Sequence, residues 1–205
     1  MKTDFGQNLQ VFHIGTLVLA LFIAGLAGIT QLADAADTYQ IDSVHSMVIF
    51  RAKHKGVSYN YGRFNEFTGE IMIDETDMSK SSVAFEVKTA SVDTGNEKRD
   101  QHLRSPDFFN AKQFPVITFK STKISMKEGE TDMLEVTGAL ELHGVKKSAT
   151  VDVEITGRSK GQQGESLIGF EAVFTIKRSE FGMNYGMGAV SDDIRITVSV
   201  EAVHK

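Results

Sequence analysis

The chain of 205 residues contains no cysteine, no tryptophan and only two prolines. Without thiols there is no disulfide framework, no cysteine zinc site or iron–sulfur cluster, and no thiol nucleophile. An excess of positive charge is also missing. Lys+Arg total 22 against 27 Asp+Glu, a formal net charge of -5, which argues against nucleic acid as a partner. Histidines are few, and none forms an H-x-H or H-E-x-x-H pair, so no metal or cofactor is expected from them. No glycine-rich phosphate loop precedes a helix. Gly157 to Gly161 match G-x-S-x-G literally. The polar continuation QQGES cannot supply the helix that a nucleophile elbow requires, so this stretch reads as a hairpin loop. What the chain does have is the balance of a globular protein, 41% hydrophobic and 24% charged.

One long apolar run lies at the N-terminus, Val11 to Ile29. Small residues follow, and Ala33 and Ala35 stand where a signal peptidase reads its substrate. Residues 1–35 are therefore expected to be a signal peptide cleaved before Ala36. About 20 apolar residues also suffice to cross a bilayer, so an uncleaved anchor is the alternative. In both cases the domain at 36–205 folds outside the cytoplasm, as a periplasmic or secreted protein.

That domain alternates with period two. In Asp193 to Val203, Ile194, Ile196, Val198, Val200 and Ala202 share one face, and Arg195, Thr197, Ser199 and Glu201 share the other. This is the pattern of a strand with one buried face. Similar alternation runs through Val83–Val87, Ile117–Phe119, Leu134–Leu142, Val151–Ile155 and Phe170–Ile176. Two earlier β-rich stretches, Val44–His54 and Arg63–Asp74, are less regular. Turn signals are expected at KGVSYNYG, DETDMSKS, KEGETD, HGVKK and SKGQQGES. The result is an all-β fold, an antiparallel sandwich or barrel of about eight strands.

Thr94 to Phe114 breaks the rhythm. Thr94 with Glu97 fits a capping box, and Ser105-Pro106 fits a second helix start, so a short helical insertion is expected here. Gly69, Gly138 and Gly169 interrupt strand patterns and are expected to mark bends or close approaches. There are 14 phenylalanines. Those on strands either fill a core or line the interior of a barrel, which at about eight strands can hold one small ligand.

Several stretches resemble the YceI-like family of exported proteins: Ile41–His54, Arg99–Thr122, Thr137–Val153, Phe174–Gly186 and Ser191–Ala202. They occur in family order over nearly the whole domain. The resemblance implies a lipocalin-like antiparallel β-barrel with an elongated apolar cavity. It implies a ligand such as a polyisoprenoid lipid, a polyprenyl quinone or a polyprenyl phosphate derivative, bound without catalysis. On that reading Phe50, Phe85, Phe119, Phe170 and Phe174 line the cavity. If the first strand has no bulge, Val44, Ser46, Val48, Phe50, Ala52 and His54 share a face, which puts His54 at a rim. Arg99 and His102, on the helical insertion, are candidates to meet a head group. The barrel spans roughly 25 Å, so a tail of eight isoprenes would bend or protrude. Transient membrane contact and a monomer or homodimer fit this picture. Two alternatives stay open. An enzyme would need His45 or His102 paired with an acid such as Asp100 inside the cavity; an interaction module would dock a membrane redox partner through residues 94–114.

Overall fold

A computed structural model describes residues 36–205. The expected signal or anchor segment lies outside the described residues. Ten strands and one helix follow in the order β1 Asp37–His54, β2 Ser58–Phe64, β3 Phe67–Ile73, β4 Ser82–Lys88, β5 Val92–Asp93, α1 Glu97–Arg104, β6 Val116–Met126, β7 Met133–Leu142, β8 Val145–Lys160, β9 Ser166–Lys177 and β10 Val190–His204. All pairings between strands are antiparallel. The order β10-β9-β8-β7-β6-β4-β3-β1 closes on itself because β1 also pairs with β10. This is the expected closed barrel, with β2 and β5 as two extra strands.

β1 makes closure possible by its length. Its start pairs with β3 and its end with β2, while its other edge holds β10 from Tyr39 to His54 on both sides of a bulge. KGVSYNYG, expected as a turn, is mostly strand: only its first residues turn, and Ser58 onward joins β2. Likewise Gly157 to Lys160 end β8 rather than forming a loop, and only the residues after Lys160 turn. The face expected to run unbroken from Val44 to His54 is split by a bulge between Asp42 and Met47. Val44 is left 82% exposed, and Ser46 is buried. The Ser46 hydroxyl accepts from the Glu201 backbone N–H at 3.0 Å. Inward alternation resumes at Val48.

The two-residue turn of β7–β8 places His143 at φ 53° and Gly144 at φ 75°. Two consecutive positive φ values are the type I′ geometry that matches strand twist.

The helix start differs from expectation. Asn96 caps α1, its side-chain oxygen accepting from Arg99 N–H at 3.0 Å. Thr94 serves Asp100 instead, donating its backbone N–H at 2.9 Å and its hydroxyl at 2.5 Å. Ser105 closes α1, and no second helix follows. Asn110 adopts φ 46°, and Phe109 N–H donates back to the Leu103 carbonyl at 2.9 Å. This turn swings Phe108 and Phe109 toward the barrel end. Arg104 pins α1 down by donating to the Ala90 and Val92 carbonyls at 2.8 and 2.9 Å.

Candidate binding cavity

Apolar residues point into the barrel at every second position of its strands. At the end carrying Asp37 and His204 they pack solidly: Tyr39, Ile73, Ile168 and Ala202 are all buried. Further in, Phe50, Phe85, Phe119, Phe174, Ile194 and Ile196 face inward yet are only half-buried. Side chains that point into a barrel and still keep accessible surface mean that the interior is hollow. A cavity of about 270 Å³ lies between them. At the α1 end its walls include Leu103, Phe108 and Phe109 from the insertion and Met183 from the segment after β9. Ala52 and Val190 at this end are half-buried, against the buried Tyr39, Ile73 and Ala202 at the other, which places the opening on the α1 side.

All five phenylalanines singled out from the strand pattern line this space. Three of them need a glycine beside them. A Cβ on Gly62 would overlap the Phe50 ring, one on Gly138 would overlap the Phe119 ring, and one on Gly69 would come within 2.8 Å of Phe85. Gly69 and Gly138 therefore act by close approach, letting large rings lie flat against the wall and leave the middle open. Gly169 lies beside the Thr156 hydroxyl, opposite the β8 irregularity between Ile155 and Gly157.

The three polar candidates are placed differently. His54 ends β1 opposite Ser58 and Val190 and is not part of the lining. Arg99 folds back on its own loop, donating to the Thr94 hydroxyl at 2.7 Å and the Thr94 carbonyl at 2.9 Å. His102 pairs with Asp107 at 2.9 Å. Its ring meets Phe108 and Tyr185 edge-on at 5.0 Å, so one aromatic ring separates it from the cavity. Sequence reasoning missed Leu103, Phe108, Phe109 and Arg178 as lining residues. The first three carried a signal, being the apolar residues of the helical insertion. Arg178 carried none, because a cation just past a strand reads as solvated.

Among the described residues, Arg178 is the one charged side chain of the lining, with no Asp, Glu, His or Lys beside it there. His45 lies outside on the β1 bulge. Its Nδ1 stands 2.7 Å from Asp42 Oδ2 and 3.7 Å from Glu201 Oε1. The hydrogen bond to Asp42 holds the imidazole pKa above its ordinary 6.5. The same bond holds the Asp42 carboxyl below its ordinary 3.8. The His45 contribution to stability is therefore present below its unfolded pKa and lost as pH rises through the raised one. That of Asp42 is present above its unfolded pKa and lost as pH falls through the lowered one. Asp42→Asn is expected to lower the His45 midpoint in an NMR titration; an unmoved midpoint would refute this pairing in solution.

The β1–β2 turn and the β9–β10 connection, at the same end as the opening, carry exposed apolar side chains. Val57 at the β1–β2 turn is 85% exposed, and Tyr185 and Met187 in the β9–β10 connection are about half exposed. Lys55 N–H donates to the Ala189 carbonyl at 2.7 Å, tying these two segments together.

Fold and site together define a lipocalin-like class: a closed antiparallel barrel with a hollow, hydrocarbon-walled interior open at one end. The YceI-like domain family matches residues 39–202, and the chain belongs to that family. It is 38% identical to Protein YceI of Salmonella arizonae over 190 residues, covering 92% of this chain and 97% of the relative. The crystal structure of the Campylobacter jejuni YceI protein superposes with a TM-score of 0.67 at 36% identity, over 75% of this chain and 90% of that one. A polyisoprenoid binding domain from Saccharophagus degradans, implicated in plant cell wall breakdown, shares the fold. Its TM-score is 0.63 at 17% identity, over 82% of this chain and 98% of that one.

Proposed function

We propose that this protein is an exported, non-catalytic carrier that holds the hydrocarbon tail of a polyisoprenoid or similar long-chain amphiphile inside its barrel. The observation that carries the reading is the hollow interior, walled by Phe, Ile, Val and Leu side chains and closed at one end. Such a wall offers a tail no hydrogen bonds, only escape from water, at about 0.8 kcal/mol per buried CH₂. A five-carbon unit then contributes roughly 3–4 kcal/mol before ordering costs. The name of the Saccharophagus neighbour points to the same ligand class.

Acid–base chemistry finds no support in the lining. The Asp100 carboxylate is taken up by Thr94, and His102 with Asp107 lies behind Phe108. Export is supported by the apolar run Val11–Ile29 and the Ala33-Asp34-Ala35 end. The exposed Val57, Tyr185 and Met187 suit transient contact with a bilayer from which the tail is collected.

The cavity of about 270 Å³ falls just below the roughly 300–1,000 Å³ of small-molecule sites. It accepts a few isoprene units as it stands, and a longer tail turns the phenylalanine rings or protrudes. Mass spectrometry of solvent extracts from natively purified protein is expected to show a prenyl amphiphile. Affinity for prenyl alcohols of rising length is expected to climb over the first few units and then flatten. Extracts without any long-chain amphiphile, together with no binding of prenyl alcohols, would overturn the proposal.

A further inference from the structure

Arg178 sits at the start of the short 3₁₀ turn Arg178–Phe181 that follows β9, and is only 3% exposed. Its guanidinium has five N–H donors. Nε donates to the Ser191 carbonyl at 2.9 Å. Nη1 donates to the Met183 and Tyr185 carbonyls at 2.6 and 2.8 Å, and Nη2 donates once, to the Val190 carbonyl at 3.0 Å. One Nη2 N–H is left over. Among the described residues no carboxylate comes within ion-pair distance. Asp192, the acid whose charge favours the cation, has its carboxylate occupied by the Ser179 N–H and hydroxyl, both at 2.9 Å.

A full positive charge thus lies in the wall of a hydrocarbon cavity, fixed by four carbonyl dipoles but not neutralised. Burial disfavours its charged form. A cation in such a place is costly unless something pairs with it. If the side chain only clamped the β9–β10 connection, a charge would be an expensive way to bind four carbonyls. The four bonds also make the guanidinium rigid, so it has no ordering cost left when a ligand arrives.

We propose that Arg178 is the head-group anchor of the cavity and selects amphiphiles whose head is an oxygen anion, a phosphate above all. This deepens the carrier reading and rests on it. The free Nη2 N–H donates to a head-group oxygen, and the unneutralised charge supplies the preference for an anion over a hydroxyl. The head group sits at the α1 end, where Arg178 lines the cavity beside Met183 and Val190, and the tail runs toward the closed end at Ile168 and Ala202.

The test compares geranylgeranyl monophosphate with geranylgeraniol, which share one tail, by calorimetry on the full chain freed of lipid. The wild-type protein is expected to prefer the phosphate by about 30-fold, the scale of one charge-assisted hydrogen bond. Arg178→Gln is expected to weaken the phosphate far more than the alcohol and bring the two within about threefold of each other. Should that variant not fold, the Arg178 Nε–H resonance of the wild type gives the readout: it should shift with the phosphate and stay put with the alcohol. Equal affinities in the wild type, a preference that survives Arg178→Gln, or a resonance indifferent to the head group would each overturn the anchor and leave the carrier reading standing. Failure of both probes to bind would overturn the two together.

Discussion

Val198→Trp is expected to lower the affinity for a prenyl alcohol by about 100-fold or more while the melting temperature moves by only a few degrees. Val198 faces the interior of β10 between Val48 of β1 and Ala172 of β9, and it is half-buried because the cavity lies in front of it. An indole at this position grows into empty space instead of into a packed neighbour. It removes room for about one isoprene unit, worth roughly 3–4 kcal/mol of desolvation, part of which ordering had already offset. Stability is largely spared, because overpacking strains a protein only where no void receives the added atoms. The measurement is calorimetric titration alongside a thermal melt. Unchanged affinity in a folded variant would mean that the tail does not occupy the barrel.

Gly138→Ala should act in the opposite sense, destabilising the barrel by about 2–3 kcal/mol. Its new Cβ would overlap the Phe119 ring and lie 2.6 Å from the Lys120 carbonyl oxygen of the neighbouring strand. The ring can turn away, but the carbonyl belongs to the β6–β7 ladder, which would have to part. For a domain of this size each kcal/mol lowers the melting temperature by about 2–4 °C, so a fall of roughly 4–12 °C is expected. Gly62→Ala is the contrasting case. The atoms nearest its new Cβ are side-chain ends, the Phe50 ring and the Thr94 methyl group. Phe50 is then pushed into the cavity, and binding suffers more than stability. Equal thermal losses from both substitutions would contradict the distinction between a backbone clash and a displaced ring.

Much of the barrel is legible in the amino-acid sequence. Period-two alternation in β7, β8, β9 and β10 fixed which residues face inward, because a strand has no other way to bury one side. The same alternation in β4, β6 and β9 put Phe85, Phe119, Phe170 and Phe174 on inward faces, while their assignment, with Phe50, to a cavity lining came from the family resemblance. The YceI-like resemblance added the barrel topology, which alternation alone does not distinguish from a sandwich. Pattern failed where backbone geometry departs from a straight strand. The bulge between Asp42 and Met47 in β1 has no compositional mark, and it turns Val44 outward from the face it was expected to share. The helix cap moved from Thr94 to Asn96 because Asp100, one turn into α1, claims the Thr94 hydroxyl and N–H. Short-range pattern does not foresee that competition.

The amino-acid sequence by itself determined a β-rich domain with one greasy face per strand, since side-chain direction follows from residue parity. Only the tertiary structure decided that those faces enclose a void instead of a packed core, and that Arg178 stands in its wall. Volume left over, and the environment of a charge, depend on how far apart the strands close around one another. That distance is set by pairing register and by glycines such as Gly62 and Gly138 lying against rings far from them in the chain.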